Sequence, residues 1–262
     1  MQSEQAQAAD LIFKDSVSFW AKGAWHWTFY CARTTLTSPI AFIFDVAYAP
    51  MIVIVASTSI VQNSVSGRTF LTASMAFLAV LASALVSLAG LIVGHKERHL
   101  LKRFRASPMP TSALIFGFIA GSAVPALLSA ILAYMVAHWF FGVPWPANIG
   151  LTAISWFAAL LVIALMAVIL SSFMRRVKTV TSMVMPLFFV IIGISGLFYP
   201  IKLSPKWLQV ISWLSPTRPA SDWFITSATN SSFVSMYGWE PILLVGWILG
   251  LFIVAVRYFK WD

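Results

Sequence analysis

Charge is scarce in this chain, and acidic charge is scarcest. Of 262 residues only 10% are charged, with 8 acidic residues against 17 basic ones, while 60% are hydrophobic. A soluble domain carries about 25% charged residues. Few charges and repeated long apolar runs exclude an ordinary soluble fold and indicate an integral membrane protein. Cysteine is rarer still. Cys31 stands alone, which excludes an intrachain disulfide and argues against a Cys-based metal site. No Gly-x-x-x-x-Gly-Lys-Ser/Thr loop is present to cradle a nucleotide phosphate, and no His-Glu-x-x-His, Gly-x-Ser-x-Gly or paired-carboxylate cluster appears. No catalytic residue or metal ligand is therefore assigned. A basic, aromatic-interleaved soluble domain is also missing, so nucleic acid is not an expected partner. The net charge of +9 is read as a topology signal. Among the acidic residues only Asp45 falls within the body of a predicted span, Glu240 standing at the first residue of the sixth. A proton- or sodium-driven carrier keeps several ionisable groups at mid-membrane, so the energy for any transport must come from elsewhere.

What is present is a series of apolar blocks. Six spans are predicted, over 39–61, 70–94, 113–137, 149–173, 179–199 and 240–257. Each is close to the roughly 20 residues that a membrane helix requires. Turn signals separate them at Asn63 to Arg68, Pro108 and Pro110, Pro144 and Pro146, and Arg175-Arg176-Val177-Lys178. With both termini inside, the cytoplasmic segments hold thirteen basic residues: Lys14, Lys22, Arg33, Lys96, Arg98, Lys102, Arg103, Arg105, Arg175, Arg176, Lys178, Arg257 and Lys260. The outer segments hold four: Arg68, Lys202, Lys206 and Arg218. Lys and Arg stay on the side from which the chain inserts. The first thirty residues carry Glu4, Asp10 and Asp15 and have no apolar core before Trp20, so they do not read as a cleavable signal. A cytoplasmic N-terminus is expected.

Four local features stand out. Residues 94–105 form a basic island between the second and third spans. Within it Leu100, Leu101 and Phe104 share one helical face, and Arg98, Lys102 and Arg105 another. A solvated loop would show the charge without the periodicity. An amphipathic helix stopped by Pro108 and Pro110 suits docking into a partner's groove. Residues 16–38 are crowded with Phe19, Trp20, Trp25, Trp27, Phe29 and Tyr30, with Lys22, His26 and Arg33 among them. Trp and Tyr favour the headgroup layer, so an interfacial helix is predicted. Segment 200–238 is too polar to span, yet Trp207, Leu208, Val210, Ile211, Trp213 and Leu214 recur at near-helical spacing among Pro200, Pro205, Pro216 and Pro219. One or two short re-entrant or interfacial helices are expected there. Finally, Gly90/Gly94, Gly117/Gly121 and Gly246/Gly250 are small pairs at the spacing that lets helices approach closely. Asp45, about a turn and a half into span one, is expected to pair with a nearby Arg or Lys, with a role in the substrate path as the alternative.

The string Glu97-Arg98-x-x-Leu101-Lys102-Arg103-Phe104-Arg105-Ala106-Ser107-Pro108 resembles the loop after the second span of ABC-2-type transporter permeases. Ile194-Ser195-Gly196-Leu197-Phe198-Tyr199-Pro200-Ile201-x-x-x-Pro205-x-Trp207-Leu208-Gln209 and Ile211-Ser212-Trp213-Leu214-Ser215-Pro216 resemble that family's segment after the fifth span. The likeness is greatest to the drug-exporter branch, with its daunorubicin-resistance and nodulation-factor permeases. Two places depart from the pattern: His99-Leu100, where a Gly-Thr or Gly-Ser pair is common, and Thr217-Arg218-Pro219-Ala220, which is unusually basic.

The resemblance implies an all-α membrane protein. Residues 1–38 would be a cytoplasmic N-terminus with an interfacial helix (Trp20, Trp25, Trp27, Tyr30, Arg33), and 39–258 a six-helix domain. Within that domain, 96–105 would be a coupling helix acting through Glu97, Arg98, Leu101, Lys102, Arg103, Phe104 and Arg105. Segment 198–225 would be an outer lid with short extracellular re-entrant helices (Pro200, Trp207, Leu208, Ile211, Trp213), and 259–262 a cytoplasmic tail. Asp45, Phe188, Phe189, Phe198 and Tyr199 are substrate-path candidates. Implied partners are two ATPase subunits that bind ATP and Mg, a second permease subunit, identical or homologous, and membrane lipid. No cofactor is expected on this chain. The implied function is export of an amphipathic or hydrophobic cargo (drug, lipid or glycolipid) across the inner (plasma) membrane. A polysaccharide or lipid-linked glycan exporter is the alternative within the class. A membrane-embedded enzyme or a scaffold is the alternative outside it, and the scattered His26, His95, His99 and His138 supply no clustered site for the enzyme.

Overall fold

The computed structural model describes residues 2–59, 64–98, 111–146, 148–198, 201, 204–229 and 239–258. Among them every regular element is helical. The chain begins with α1 (Gln2–Thr37). Five helices are long and apolar enough to cross a membrane. They are α2 (Pro39–Ser59), α3 (Val65–Glu97), α4 (Thr111–Phe141), α5 (Ile149–Ser172) and α6 (Val177–Ser195). Two short helices follow, α7 (Lys206–Trp213) and α8 (Thr217–Thr229). The sixth predicted span is α9 (Glu240–Tyr258), whose apolar part, Glu240–Ala255, is shorter than the other five.

Local chemistry sets the ends of these helices. Ser64 accepts the Gly67 N–H at 3.1 Å and starts α3, so the turn signal over Asn63 to Arg68 becomes a cap followed by helix. Asn148 accepts the Leu151 N–H at 3.1 Å and starts α5. Gly196 ends α6 at φ 68°, the left-handed conformation that glycine adopts without strain. The N-terminal helix is longer than the interfacial segment read from the sequence, because nothing between Gln2 and Phe19 breaks it.

α3 is the axle of the bundle. It packs against α2, α4, α5, α6 and α8. Alanines at 73, 76, 79, 82, 84 and 89 are buried along it and allow close helix approach, while Met75, Phe77, Leu78, Leu81, Leu85, Leu88 and Ile92 fill the spaces between helices. α1 lies along α4, its most extensive neighbour. Of the three glycine pairs, Gly117/Gly121 marks that seam. A Cβ at Gly117 would stand 2.7 Å from the Trp27 ring, and one at Gly121 would stand 2.5 Å from the Cys31 Cβ. Gly90, Gly246 and Gly250 meet nothing within 4 Å. α9 packs on α5 and α8.

Candidate functional site

The basic island is rooted in α3, whose last residues are buried more deeply than a solvated loop requires. His95 and Lys96 are each 6% exposed. Lys96 Nζ donates to the Ser171 carbonyl oxygen at 3.1 Å. Glu97 Oε2 accepts the Val177 N–H at 3.0 Å. These two partners are special. Ser171 lies in the last turn of α5, where carbonyls have no partner within the helix. Val177 is the first residue of α6, where N–H groups have none. The residue before it, Arg176, caps α6 with no side-chain hydrogen bond of its own. A cation therefore sits on the negative end of one helix dipole and an anion on the positive end of the next. Two consecutive residues of α3 hold the α5–α6 junction from both sides.

α1 is fastened to the same root. Trp27, 9% exposed, lies 5.4 Å from the His95 ring and 5.3 Å from the Phe118 ring, and it stacks on Tyr30 at 5.2 Å. His95 Nδ1 lies 2.6 Å from the Leu91 carbonyl, so this histidine is satisfied within its own helix. A cavity of about 230 Å³ opens between the three helices, with Tyr30, Thr34, His95, Arg98 and Val177 in its wall. Trp20 meets Phe116 at 5.5 Å, whereas Trp25 is 71% exposed and Arg33 is also on the surface. The predicted interfacial set thus divides into a packed face (Trp20, Trp27) and an outward face (Trp25, Arg33), with Tyr30 at the edge. Burial beside α4 pushes the Cys31 thiol up to about 12. In the predicted coupling set, Glu97 and Arg98 are described, while Leu101, Lys102, Arg103, Phe104 and Arg105 lie outside the described residues.

Asp45 departs from its expected pairing. It is 1% exposed, and its Oδ1 accepts the Ser87 hydroxyl at 2.6 Å. Among the described residues no basic side chain pairs with it, and Oδ2 has no hydrogen-bond partner. Both ends of the Asp45–Ser87 contact lie in π-helical turns, Ile43–Ala47 in α2 and Ala82–Ser87 in α3. Such turns free backbone groups from the regular ladder. Ser129 donates to the Val46 carbonyl at 3.0 Å, and Ser83 donates to the Ser122 carbonyl at 2.8 Å. The result is a polar seam joining α2, α3 and α4 inside the apolar bundle.

The aromatic path candidates do not share a face. Phe188 is 1% exposed and belongs to the core, while Phe189 is 64% exposed, with its ring 5.5 Å away and edge-on. Phe198 is 54% exposed. Tyr199 and Pro200 lie outside the described residues. The predicted lid contains two unlike helices. α8 is buried in the bundle, but α7 shows Trp207, Val210, Ile211 and Leu214 along one exposed stripe, with Leu208 and Trp213 half-buried. Arg218, which looked out of place in the sequence, ties the two together. Its Nε donates to Asp222 Oδ2 at 3.3 Å, and its Nη1 donates to the Gln209 carbonyl at 2.9 Å and to Ser212 Oγ. The guanidinium lies 4.3 Å from the Trp213 ring centroid.

Sequence reading missed Lys96 as a junction residue and missed Ser87 and Asp222. Asp222 carried a signal, since it stands four residues after Arg218. The others depend on contacts between distant segments. A family model for the ABC-2 type transporter matches residues 19–228. No curated protein matches the chain.

Proposed function

The chain belongs to the ABC-2 type transporter family, and we propose that it is the permease half of an exporter for amphipathic or hydrophobic cargo. The family makes it a multi-pass transmembrane subunit of an ABC transporter, not itself the catalytic subunit, that works with ABC ATPase subunits. In our reading two such subunits bind ATP and Mg, and two permease subunits, identical or homologous, enclose the path. The basic residues of 96–105 face the cytoplasm, both termini are inside, and the membrane is the cell's inner (plasma) membrane. The excess of Lys and Arg on that side supports the orientation.

One observation carries the mechanism. The root of the basic island is bonded through Lys96 to the end of α5 and through Glu97 to the start of α6. A push delivered by a closing ATPase pair to the end of α3 would pass through these two bonds to both neighbours. It would move α3, α5 and α6 together as a rigid unit. α1, packed on the same root through Trp27, gives the motor a second surface. Segment 198–225 serves as the outer lid.

The reading is tested at the motor contact. Co-purification with an ATPase subunit is the first requirement. Leu101→Asp or Phe104→Asp should then abolish ATP-driven transport and release the motor, because a charge must be desolvated against an apolar groove at a cost of roughly several kcal/mol. Lys102→Ala should cost about 0–1 kcal/mol. Export at the normal rate by both Asp variants, with the motor still bound, would refute the coupling role.

A further inference from the structure

The third and fourth spans are consecutive in the chain, yet α4 and α5 scarcely touch each other. Between them runs a groove of about 230 Å³. Its walls are two facing helical stripes, Leu127, Ala130, Ile131 and Tyr134 on α4 and Ile149, Thr152, Ala153 and Trp156 on α5. Each stripe follows the i, i+3, i+4, i+7 spacing of one helix face. The groove is therefore narrow and runs along the helices, over about 10 Å at 1.5 Å per residue. Phe224 of α8 closes its back. Its front is open sideways, where Leu127, Ile131, Ile149 and Phe157 are exposed.

The groove has a wet end and a dry end. Trp145 and Pro146, on the short connection between the spans, form its rim. Trp145 stacks on Tyr134 at 6.3 Å and lies 5.4 Å from His138, which is itself held by the Val143 carbonyl at 2.8 Å. A tryptophan at the end of a span marks the headgroup layer. Below it the lining is almost wholly apolar. Three lining side chains below the rim carry polar groups, and almost none of that polar surface opens on the groove. The Tyr134 hydroxyl and the Trp156 ring N–H are buried and have no hydrogen-bond partner. Thr152 is already bonded to the Asn148 and Ser227 carbonyls.

We propose that this groove is a seat for one acyl chain of a bilayer glycerophospholipid, with the lipid's polar end at the Trp145 rim. Several features select that occupant. The opening faces sideways, toward the bilayer, not toward either aqueous end. The shape fits a single unbranched chain. Trp145 at the rim marks the headgroup layer, where the polar end of a lipid sits. The lipid would fill the gap between two spans that do not pack on each other, and so stiffen the pair.

The test uses the full chain in liposomes containing phosphatidylethanolamine with a diazirine on one acyl chain. After illumination, adducts are mapped by mass spectrometry. They should concentrate on 127–134 and 149–157, several-fold above the equally apolar exposed face of α9 at Ile242, Leu249 and Ile253. Ala153→Phe, at an exposed position of the groove, should fill it and remove those adducts while leaving the α9 adducts unchanged. That second reading also reports that the variant is folded. Equal labelling of groove and α9, or indifference to Ala153→Phe, overturns the site. Loss of groove adducts on adding ATP and the motor subunit would assign the groove to the cargo path instead. A chain-to-chain crosslink through Ala153→Cys in a Cys31→Ser background would assign it to a second copy.

Discussion

The second and fifth spans are both apolar, and the bundle treats them oppositely. In the most apolar stretch of α3, 78% of residues are buried inside the chain; in α6 the share is 28%. Hydropathy alone marks both as spans. What separates them is the size of the side chains and what the helix carries at its end. α3 is rich in alanine and meets neighbours on every side. α6 keeps one face, with Val180, Val184, Phe188 and Ile191, against the bundle and turns Met183, Phe189 and Val190 outward. A fully surrounded helix that ends in a grip on its neighbours is suited to carry force. A helix with a free face is suited to move against lipid or another subunit.

The comparison can be broken most directly at its centre. Phe77→Ala opens a cavity where the ring is 0% exposed and lies 6.3 Å from Phe224. A loss of about 3–5 kcal/mol is expected, read as a fall in the thermal unfolding temperature of the purified protein in detergent. A change no larger than that of a surface variant would mean that α3 is not the axle.

The next largest effect is at the grip. Lys96→Met keeps the stem and removes the ammonium that holds the Ser171 carbonyl. A hydrogen bond from a charged group contributes about 1.5–3 kcal/mol. The functional effect should exceed the stability effect: ATP hydrolysis by the bound motor continues while transport falls, and Lys96→Arg restores it in part. Equal falls in both activities would make Lys96 a stabilising residue only.

A third effect falls on the α1–α4 seam. Gly121→Ala puts a methyl group 2.5 Å from the Cys31 Cβ, and overpacking of this kind costs about 1–3 kcal/mol. Cys31 itself reports the shift. Its thiol is 1% exposed and raised to about 12 from the usual 9.0, so little thiolate forms at pH 8 and maleimide should react slowly. The folded state holds this proton more tightly than the unfolded state. Its contribution to stability is therefore complete below about 9 and is lost as pH rises toward 12. In Gly121→Ala the labelling rate at pH 8 should rise. An unchanged rate would show that α1 tolerates the methyl without moving.

Much of this architecture was legible from residue order alone, and for a physical reason. A bilayer allows few solutions to backbone hydrogen bonding, so an apolar run of the right length becomes a helix whatever its neighbours. Span boundaries at 113, 149 and 240 in the sequence reading fall within two residues of the starts of α4, α5 and α9. The Gly117/Gly121 seam was legible as one of three equal pairs, but only the packed chain shows that Trp27 and Cys31 need the space. The site was harder. Nothing in the local pattern around Lys96 says that Ser171 will end a helix beside it. Asp45 was visible as the one acid within the body of a span, but its serine partner lies 42 residues away on another helix. Arg218 looked like an outer charge and proved to be a buried cross-link, because an Asp one turn later and two acceptors on α7 receive it.

The smallest expected effect is the one that sharpens the comparison. Phe189→Ala removes the same atoms as Phe77→Ala, but from a ring that is 64% exposed on α6. Little packing is lost within the chain, and lipid can take the place of the ring. A change within about 0.5 kcal/mol is expected, so the unfolding temperature should barely move. The adjacent Phe188→Ala, at a ring 1% exposed, should behave like a core variant and lose about 3–5 kcal/mol. Two neighbouring phenylalanines then differ by the whole range between surface and core, which only a helix with one bundled face can produce. If Phe189→Ala costs as much as Phe188→Ala, that outward face is not free in the assembled protein. The unfolding temperature should in that case depend on protein concentration, as it does when a second subunit covers the face. If it costs little and transport is also unchanged, Phe189 is not a path residue, and the cargo route must be sought along the Asp45–Ser87 seam.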